Sequence, residues 1–414
     1  MSSKKPFFSV VIPTRNRANL LPLAIGSVLQ QTFGDFEIII SDNFSSDETP
    51  QVVQNFDDER IKYYRAEKSL SIGESFEFAL SHAKGEYVTF LSDDDAHAKV
   101  FLERFYDVIS QEKPDIISCN LTPYYAVDTF IYGRKIKAQT FIILPFTREI
   151  SILNRKEAVS ALFSSIRLTD EGEKWKYVRF PQLVNAAYHN SIIEKVKQRV
   201  PKIFPVLGSD IYSCALFLNA ANKFCYVDEP LCLYCIWEGG ETTSNKFSLR
   251  KYPEECIFEF VPLKKTITSP NYITNLILRA KSDWGEDYLP VDFDWSYYFV
   301  ARYQEINYMR GQGANVSEEL QEFENALMKQ NQGIREKLSA LKHISPVRNI
   351  LRVNLKQTQL GKILLRLKYR HVKTFDSSIE GFKNIKECAA RIDENFLSKY
   401  LIKYAKFKAD NKWI

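Results

Sequence analysis

Short, continuously apolar runs alternate with segments of helical period over the first 120 residues, and this alternation restricts the possible folds more than any other feature. The apolar runs are predicted strands at 7–13, 36–41, 61–65, 86–91 and 115–120. Segments with apolar residues at helical spacing lie between them, at 18–31, 51–56, 74–83 and 99–110. Strands that are apolar on both faces and separated by single helices predict an α/β fold. Its central sheet should be Rossmann-like and mostly parallel, with helices on both faces.

The remainder of the 414-residue chain is long enough for a second domain. Residues 121–150 predict strands and loops inserted after the fifth strand, and a strand pair is predicted near 224–236. From about residue 250 the pattern is mainly helical. We therefore predict an α/β domain over residues 1–245 and a mainly helical C-terminal region over residues 246–414.

Hydropathy and cysteine usage indicate the compartment. The longest apolar runs, such as 141–146, are far shorter than the ~18–20 residues that span a bilayer. The segment 1–17 fits a first strand better than a signal peptide, because Pro13 and two arginines interrupt it. Seven cysteines without regular spacing favour a reduced, cytoplasmic protein. Cys232 and Cys235 form a lone CxxC and are interpreted as core residues of a strand rather than zinc ligands.

Polar loops follow the first, second and fourth predicted strands. They cover residues 14–17, 42–47 and 93–95. In parallel sheets, ligands bind beyond the carboxyl ends of the strands. We therefore expect these three loops to open on the same edge of the sheet and to contribute to one site.

The loop after the fourth strand contains three consecutive aspartates, Asp93, Asp94 and Asp95. Aspartate clusters at a strand end bind Mg²⁺ or Mn²⁺, whose remaining coordination positions go to water and substrate phosphates. A solvated turn or a helix N-terminus is the alternative interpretation of the same residues. The triplet alone does not decide between these readings.

Three segments in order, VVIPTRNRANLLPLAIGSVLQQT, IIISDNFSSDET and GEYVTFLSDDD, resemble the N-terminal half of glycosyltransferase family 2. The resemblance is strong over residues 7–120 and weaker over 121–245. It implies the GT-A fold and transfer of a sugar from a nucleotide-diphosphate sugar to a hydroxyl of a glycan or lipid-linked acceptor. It further implies an inverting, divalent-metal-dependent enzyme of cell-surface polysaccharide or lipopolysaccharide synthesis.

The resemblance also implies roles for residues of the first two loops. Pro13, Thr14 and Arg15 match the family's first nucleotide-contacting loop. Asp42 matches the aspartate that accepts a hydrogen bond from the base, which suits the imide of uracil or thymine and favours UDP or dTDP. The alternative role of Asp42 is to cap the loop after the second strand. Asp47 is predicted to cap the following helix.

The aspartate triplet matches the family's DXD metal motif, with Ser92 in place of the usual first aspartate. The ligand role therefore falls on the three residues that follow. We assign the metal to Asp95 together with Asp93, and contacts with ribose or diphosphate to Asp94 together with Asp93. The division of these roles among the three carboxylates is left open.

An inverting transferase needs a general base that takes the proton of the acceptor hydroxyl. Asp210, in GSDIYSCALFL, stands before a helical pattern where the family has its acidic residue, and is the predicted base. A plain helix cap is its alternative role. Trp237, Gly239 and Gly240 lie where the family has a mobile substrate-covering loop. Trp237 would stack on a sugar there or be a buried aromatic residue.

The segment from Lys337 to Lys373 contains ten basic residues and no acidic one. Within it, LGKILLRLKYR has the spacing of a basic amphipathic helix. Such a helix either lies on an anionic membrane surface or packs against the catalytic domain. The first option places the protein on the inner face of the plasma membrane. Nucleic acid is not an expected partner, because no DNA- or RNA-binding motif is present.

Two rival functions remain at this point. A nucleotidyltransferase shares the sheet and the metal, but it normally carries a glycine-rich, lysine-bearing loop after the first strand, which TRNRAN lacks. A catalytically inactive relative acting as a binding or scaffold subunit is kept open by Ser92. The presence of Asp42, Asp95 and Asp210 argues against that second reading.

Overall fold

The structure is a computed structural model of the 414-residue chain. The residues that it describes are 5–131, 134–143, 146–165, 181–205, 209–236, 258–263, 269–290, 293, 295–311, 314–336, 373–376 and 384–397. Its helices are α1 Leu21–Leu29, α2 Thr49–Gln54, α3 Ile72–Ser81, α4 Phe101–Glu112, α5 Arg155–Ser165, α6 Asn190–Arg199, α7 Ser209–Ala220, α8 Ser269–Trp284, α9 Trp295–Gly311, α10 Ser317–Met328 and α11 Ile385–Arg391.

Most of the strands form one mixed sheet. The strands are β1 Phe8–Thr14, β2 Phe36–Asp42, β3 Ile61–Arg65, β4 Tyr87–Phe90, β5 Ala96–His97, β6 Ile116–Tyr125, β7 Thr129–Ile131, β8 Arg134–Ile136, β9 Thr140–Ile143, β10 Ile150–Asn154, β11 Ala186–His189, β12 Lys223–Ile236 and β13 Lys373–Asp376. The main path runs β10-β12-β6-β11-β4-β1-β2-β3. Neighbours among β4, β1, β2 and β3 are parallel, as are β6 and β12, whereas β11 and β10 are antiparallel to their neighbours.

The strand and helix pattern predicted for the first 120 residues is confirmed, since β1 to β4, β6 and α1 to α4 occupy the predicted positions. The strand pair predicted near 224–236 is wrong, because the structure has one strand, β12, with an irregularity between Val227 and Cys232. The chain does not turn back there. On both sides of the irregularity β12 keeps pairing in parallel with β6, which holds it in the same sheet.

Alternate residues of the central strands enter two separate apolar cores, one on each face of the sheet. In β2, Ile39 belongs to the core that also contains buried residues of α5 to α10. Ile38 and Ile40 belong to the other core, with buried residues of α1, α4 and α11. The predicted α/β architecture, with a mostly parallel sheet and helices on both faces, is therefore confirmed.

The predicted helical C-terminal region is also present, as α8, α9, α10 and α11. The region packs on both faces of the sheet rather than on one. On the first face, the Tyr212 hydroxyl of α7 donates to Asp283 of α8 at 2.8 Å. On the opposite face, the Lys99 amide donates to the Ala389 carbonyl of α11 at 3.0 Å. The domain boundary predicted at residue 245 lies outside the described residues.

None of the helices in the described ranges is both long enough and apolar enough to cross a bilayer. The basic segment from 337 to 372 lies outside those ranges, and so does the proposed amphipathic helix within it. Its membrane contact stays a prediction.

Candidate active site

The carboxyl ends of β1 and β2 and the loop after β4 meet at one edge of the sheet. Thr14, the last residue of β1, lies in register with Asp42, the last residue of β2. The Thr14 hydroxyl donates to Asp93 Oδ2 at 2.7 Å, across 79 residues of sequence. The structure thus brings together the three polar loops that the sequence predicted to share an edge. Pro13 is half-buried within β1, and Arg15 is exposed just beyond it.

Hydrogen bonds lock the loop after β1 to the loop after β2. The Asn16 amide donates to Ser45 Oγ at 2.9 Å, and the Ser46 amide donates back to Asn16 Oδ1 at 2.8 Å. The Ala18 amide donates to Asp47 Oδ2 at 3.0 Å. The two loops therefore hold each other's conformation, and a ligand bound to one would contact a surface that both of them form.

Asp47 also stabilises the start of α2, as predicted. Its Oδ1 accepts hydrogen bonds from the Thr49 amide at 3.1 Å and from the Thr49 hydroxyl at 2.5 Å. Burial opposes ionisation of Asp47, but the hydrogen bonds from Thr49 and from the Ala18 amide outweigh it and lower the pKa of this carboxyl. The charged carboxylate thus joins the loop after β1 to the first turn of α2.

Asp42 is fully buried, and its carboxylate accepts hydrogen bonds from neighbouring groups of the protein. Its Oδ1 accepts from the Ser45 amide at 2.8 Å, and its Oδ2 accepts from the Tyr63 hydroxyl at 2.6 Å. The guanidinium of Arg65 lies 3.6 Å from the same Oδ2. This geometry matches the alternative role of Asp42, that of holding the loop after β2. Its contact with a base stays a prediction.

Asp93 lies half-buried between Thr14 and the neighbouring carboxyl of Asp94. Burial and the charge of Asp94 raise the pKa of Asp93 to about 6, although the Thr14 hydroxyl, the Arg17 charge and the Arg15 amide all favour the charged form. A cation beside this pair would reverse that shift. Mg²⁺ or Mn²⁺ commonly binds through one or two carboxylates plus substrate phosphates, so Asp93 and Asp94 fit such an ion. Within the described ranges no group of three or more His, Cys, Asp or Glu side chains is arranged to hold a metal.

Asp95 is hydrogen-bonded to β12. It is 6% exposed, and its Oδ1 accepts a hydrogen bond from the Cys235 amide in β12 at 2.8 Å. Burial and the nearby charge of Asp94 raise the pKa of Asp95, while the Cys235 amide and the Ser92 side chain oppose the shift. Ser92 therefore supports Asp95 at the position where the family more often has an aspartate. The metal role of Asp95 stays a prediction, and its observed role is to fasten the acidic loop to β12.

Residues 9–169 match the family model described as Glycosyl transferase family 2. Over this segment, about two fifths of the chain, the protein is similar to family 2 glycosyltransferases. The match contains all three loops of the edge, including Thr14, Asp42 and Asp93.

The matches between this chain and its curated relatives span only part of each protein. The chain is 48% identical over 93 residues to a GalNAc(5)-diNAcBac-PP-undecaprenol beta-1,3-glucosyltransferase of Campylobacter jejuni, over 22% of this chain and 30% of that protein. It is 34% identical over 87 residues to the Escherichia coli UDP-Glc:alpha-D-GlcNAc-diphosphoundecaprenol beta-1,3-glucosyltransferase WfgD, over 21% and 34%. The chain thus spans about a third of the length of these two relatives.

A solved structure resembles the chain more distantly. S. aureus TarS 1–349 in complex with UDP-GlcNAc superposes with a TM-score of 0.43 at 18% identity, over 57% of this chain and 60% of that one. A similarity at this level does not establish a shared site.

Beyond the family 2 match, the predicted base Asp210 lies in the first turn of α7. Its side chain is half-buried, and its carbonyl accepts a hydrogen bond from Ser213 Oγ at 3.2 Å. The predicted position at a helix start is confirmed, and the catalytic role stays a prediction. Trp237, Gly239 and Gly240, predicted to form a substrate-covering loop, lie outside the described residues.

Two residues of α3 support the segment that leads towards Asp210, and the sequence analysis missed both. Glu77 Oε1 accepts hydrogen bonds from the amides of Ile203 and Phe204 at 2.6 and 2.9 Å. A side chain at Gly73 would meet the Phe204 carbonyl oxygen, 1.9 Å from the position of its Cβ. The contacts join residues about 130 apart in sequence, and a lone glycine and a lone glutamate in a helical pattern give no signal of them.

Cys232 and Cys235 are buried in β12 with free thiols. The Cys232 thiol lies 3.2 Å from the Val184 carbonyl. Burial raises the pKa of Cys235 to about 12, so this thiol stays protonated at neutral pH. The interpretation of the CxxC as core residues of a strand is confirmed.

Proposed function

We propose that this protein is a glycosyltransferase that moves a sugar from a nucleotide-diphosphate sugar, UDP or dTDP by preference, to a hydroxyl of a glycan or lipid-linked acceptor. The observation that carries the proposal is the hydrogen bond between Thr14 and Asp93 inside the segment that matches family 2. It joins the loop that resembles a nucleotide-contacting loop to the loop that resembles a DXD motif. A solvated acidic turn without a ligand-binding role would not require that hydrogen bond.

The chain's own residues account for the binding and the proton transfer. Asp93, together with Asp95 or Asp94, would hold Mg²⁺ or Mn²⁺, which when bound supplies positive charge to the diphosphate leaving group. Thr14 fixes the orientation of Asp93, Arg17 provides positive charge beside it, and the Arg15 amide donates a hydrogen bond to it. Fixed charges of this kind stabilise a leaving group without reorganisation during the reaction.

Asp210 completes the reaction as the general base. The acceptor oxygen attacks the anomeric carbon from the side opposite the diphosphate, the bond from that carbon to the diphosphate oxygen breaks, and the acceptor proton passes to the Asp210 carboxylate. A single displacement of this kind inverts the configuration at the anomeric carbon. The half-buried position of Asp210 at the start of α7 is compatible with this role.

The activities for which the two relatives are named support the acceptor class. Both are described as glucosyltransferases, and both names contain an undecaprenol diphosphate-linked substrate. A lipid-linked acceptor would place this protein in cell-surface polysaccharide or lipopolysaccharide synthesis, at the inner face of the plasma membrane. The basic segment Lys337 to Lys373 would then contact the anionic lipid surface.

Nucleotide titration tests the donor half of this proposal. UDP, dTDP, GDP and CMP are titrated into the full chain by calorimetry, first with Mn²⁺ and then with EDTA. We expect one uracil or thymine nucleotide to bind, and the binding to be lost with EDTA. The variant Asp93→Asn should lose it as well. Asp57→Asn, which changes an exposed carboxylate, is the matched control and should bind as the wild type does.

The titration also separates the rival functions. No binding of any of the four nucleotides by folded protein would refute the transferase proposal and favour a scaffold role. Unchanged binding by Asp93→Asn would refute the assignment of the metal and diphosphate site to the acidic loop.

A further inference from the structure

Phe44 combines two unfavourable features at the proposed donor edge. Its backbone has φ 57°, in the left-handed region that bulky L residues rarely adopt. Its side chain is 45% exposed, although phenylalanine is normally buried. A glycine would meet the same backbone requirement without strain and would expose no apolar surface. Local strain that the surrounding structure maintains is a reason to look for a function.

The ring of Phe44 is supported from behind by a fixed cation. The guanidinium carbon of Arg65 lies 5.2 Å from the ring centroid. Arg65 is itself held, because its Nη2 donates to the Ser45 carbonyl at 2.7 Å and its Nε lies 3.6 Å from Asp42 Oδ2. Asp42 in turn is buried and bonded to the Tyr63 hydroxyl. This chain of contacts keeps the Phe44 ring in one orientation.

The loop that carries Phe44 is part of the proposed site. The Asn43 amide donates to the Thr14 carbonyl at 2.9 Å, and the Ser45 hydroxyl accepts from the Asn16 amide. In the sheet, β4 precedes β1 and β1 precedes β2. Two strand spacings, roughly 10 Å, therefore separate the acidic loop after β4 from the Phe44 loop after β2. A nucleoside diphosphate can span that distance between its phosphates and its base.

We infer that Phe44, backed by Arg65, is a stacking platform for the nucleobase of the donor. This inference rests on the proposed function and adds a binding residue to it. An aromatic ring with one supported face and one exposed face matches the flat π surface that every base presents. It also assigns Asp42 a positioning role, because Asp42 acts on the base through Arg65 and Phe44.

Substitution of Phe44 tests the platform without threatening the fold. Phe44→Gly suits a φ of 57°, so we expect its melting temperature to match that of the wild type or exceed it. The probes are UDP and inorganic pyrophosphate, titrated by calorimetry with Mg²⁺. Phe44→Gly should bind UDP roughly tenfold more weakly, since a loss of that size lies within the range that stacking of a base on an aromatic residue contributes. It should bind pyrophosphate as the wild type does.

Four further variants make the test specific. Phe44→Tyr keeps an aromatic ring and should bind UDP as the wild type does. Phe44→Leu keeps only an apolar side chain and should bind UDP more weakly. Met328→Ala removes another exposed apolar side chain, in α10, and should change nothing. Arg65→Gln should lower the affinity for UDP less than Phe44→Gly does.

The outcomes distinguish this inference from the proposed function. Wild-type affinity for UDP in Phe44→Gly would overturn the platform and leave the proposed function standing. An equal loss of affinity for UDP and for pyrophosphate would also overturn the platform, because Phe44 would then act on the diphosphate subsite. If the wild type binds none of the nucleotides, the proposed function falls, and the platform falls with it.

Discussion

Replacing Gly73 by alanine should force α3 apart from the segment that precedes α7. The new Cβ would lie 1.9 Å from the Phe204 carbonyl oxygen and 3.1 Å from its carbon. Real Cβ atoms essentially never approach closer than 3.0 Å, so the two elements must separate by about 1.1 Å, the difference between 3.0 and 1.9 Å. The obstacle is backbone, which cannot move aside as the end of a side chain can.

The same displacement breaks the hydrogen bonds that Glu77 accepts. At present they measure 2.6 Å to the Ile203 amide and 2.9 Å to the Phe204 amide. Lengthening by about 1 Å leaves both amides without a partner, at about 1–3 kcal/mol for each buried group that finds no water. Overpacking alone costs typically about 1–3 kcal/mol. Since part of the strain relaxes, we expect Gly73→Ala to lower the free energy of unfolding by about 2–4 kcal/mol.

Urea denaturation followed by circular dichroism measures this change. Gly34→Ala is the matched control, because a Cβ at Gly34 would meet nothing within 4 Å and should leave stability unchanged or slightly raised. Glu77→Ala should reproduce much of the loss, whereas Glu77→Gln retains an acceptor oxygen and should lose less. A Gly73→Ala protein as stable as Gly34→Ala would refute the packing argument.

Two other predictions concern stability. Glu229 is fully buried and pairs with Arg104 at 2.6 Å and Arg148 at 3.3 Å, so Glu229→Ala should cost about 3 kcal/mol in urea denaturation, because two cations lose their buried partner. Glu394→Ala, which removes a 52% exposed partner of Arg148, should cost less than about 1 kcal/mol, and equal losses in the two variants would contradict this reasoning. His82 stacks on Tyr64 at 3.7 Å between ring centroids, and burial, then Lys84, lowers its pKa. The unfolded chain therefore binds the proton more readily, and stability should fall as the pH drops below about 6.5. His82→Phe keeps the stacking and should lose less stability between pH 7 and pH 5, whereas identical pH profiles would contradict the assignment.

Local patterns in the sequence were sufficient for the central sheet. Strands β1, β2 and β4 are continuously apolar and end at polar loops, so their place in a parallel sheet and their shared carboxyl edge followed directly. The start of α7 and the capping role of Asp47 followed from helix-start signals in the same way. These features depend on residues close together in the chain.

The features that the sequence could not show depend on distant partners. A strand pair was predicted near 224–236, but the structure has one strand there. Within it, the buried carboxylate of Glu229 pairs with Arg104 and Arg148, which are distant in the sequence. The metal role of Asp95 stays a prediction, and its hydrogen bond to the Cys235 amide, 140 residues away, could not be predicted from a local motif.

The position of the last described helix follows the same rule. Helix α11 packs beside α1, where Lys386 would contact any side chain placed at Gly26. About 360 residues separate the two positions in sequence. The left-handed conformation of Phe44 is equally invisible in the sequence, because the residue type itself disfavours that conformation.

The most direct test of the central claim is a turnover measurement. The full chain is given a panel of UDP- and dTDP-sugars with Mg²⁺ and an undecaprenyl diphosphate-linked glycan, and release of the nucleoside diphosphate is followed. We predict acceptor-dependent release by the wild type and by Asp57→Asn, and a loss of roughly 100-fold or more in Asp93→Asn. Full activity in Asp93→Asn would contradict the account of the acidic loop, and no release by the wild type with any donor would contradict the proposed transfer.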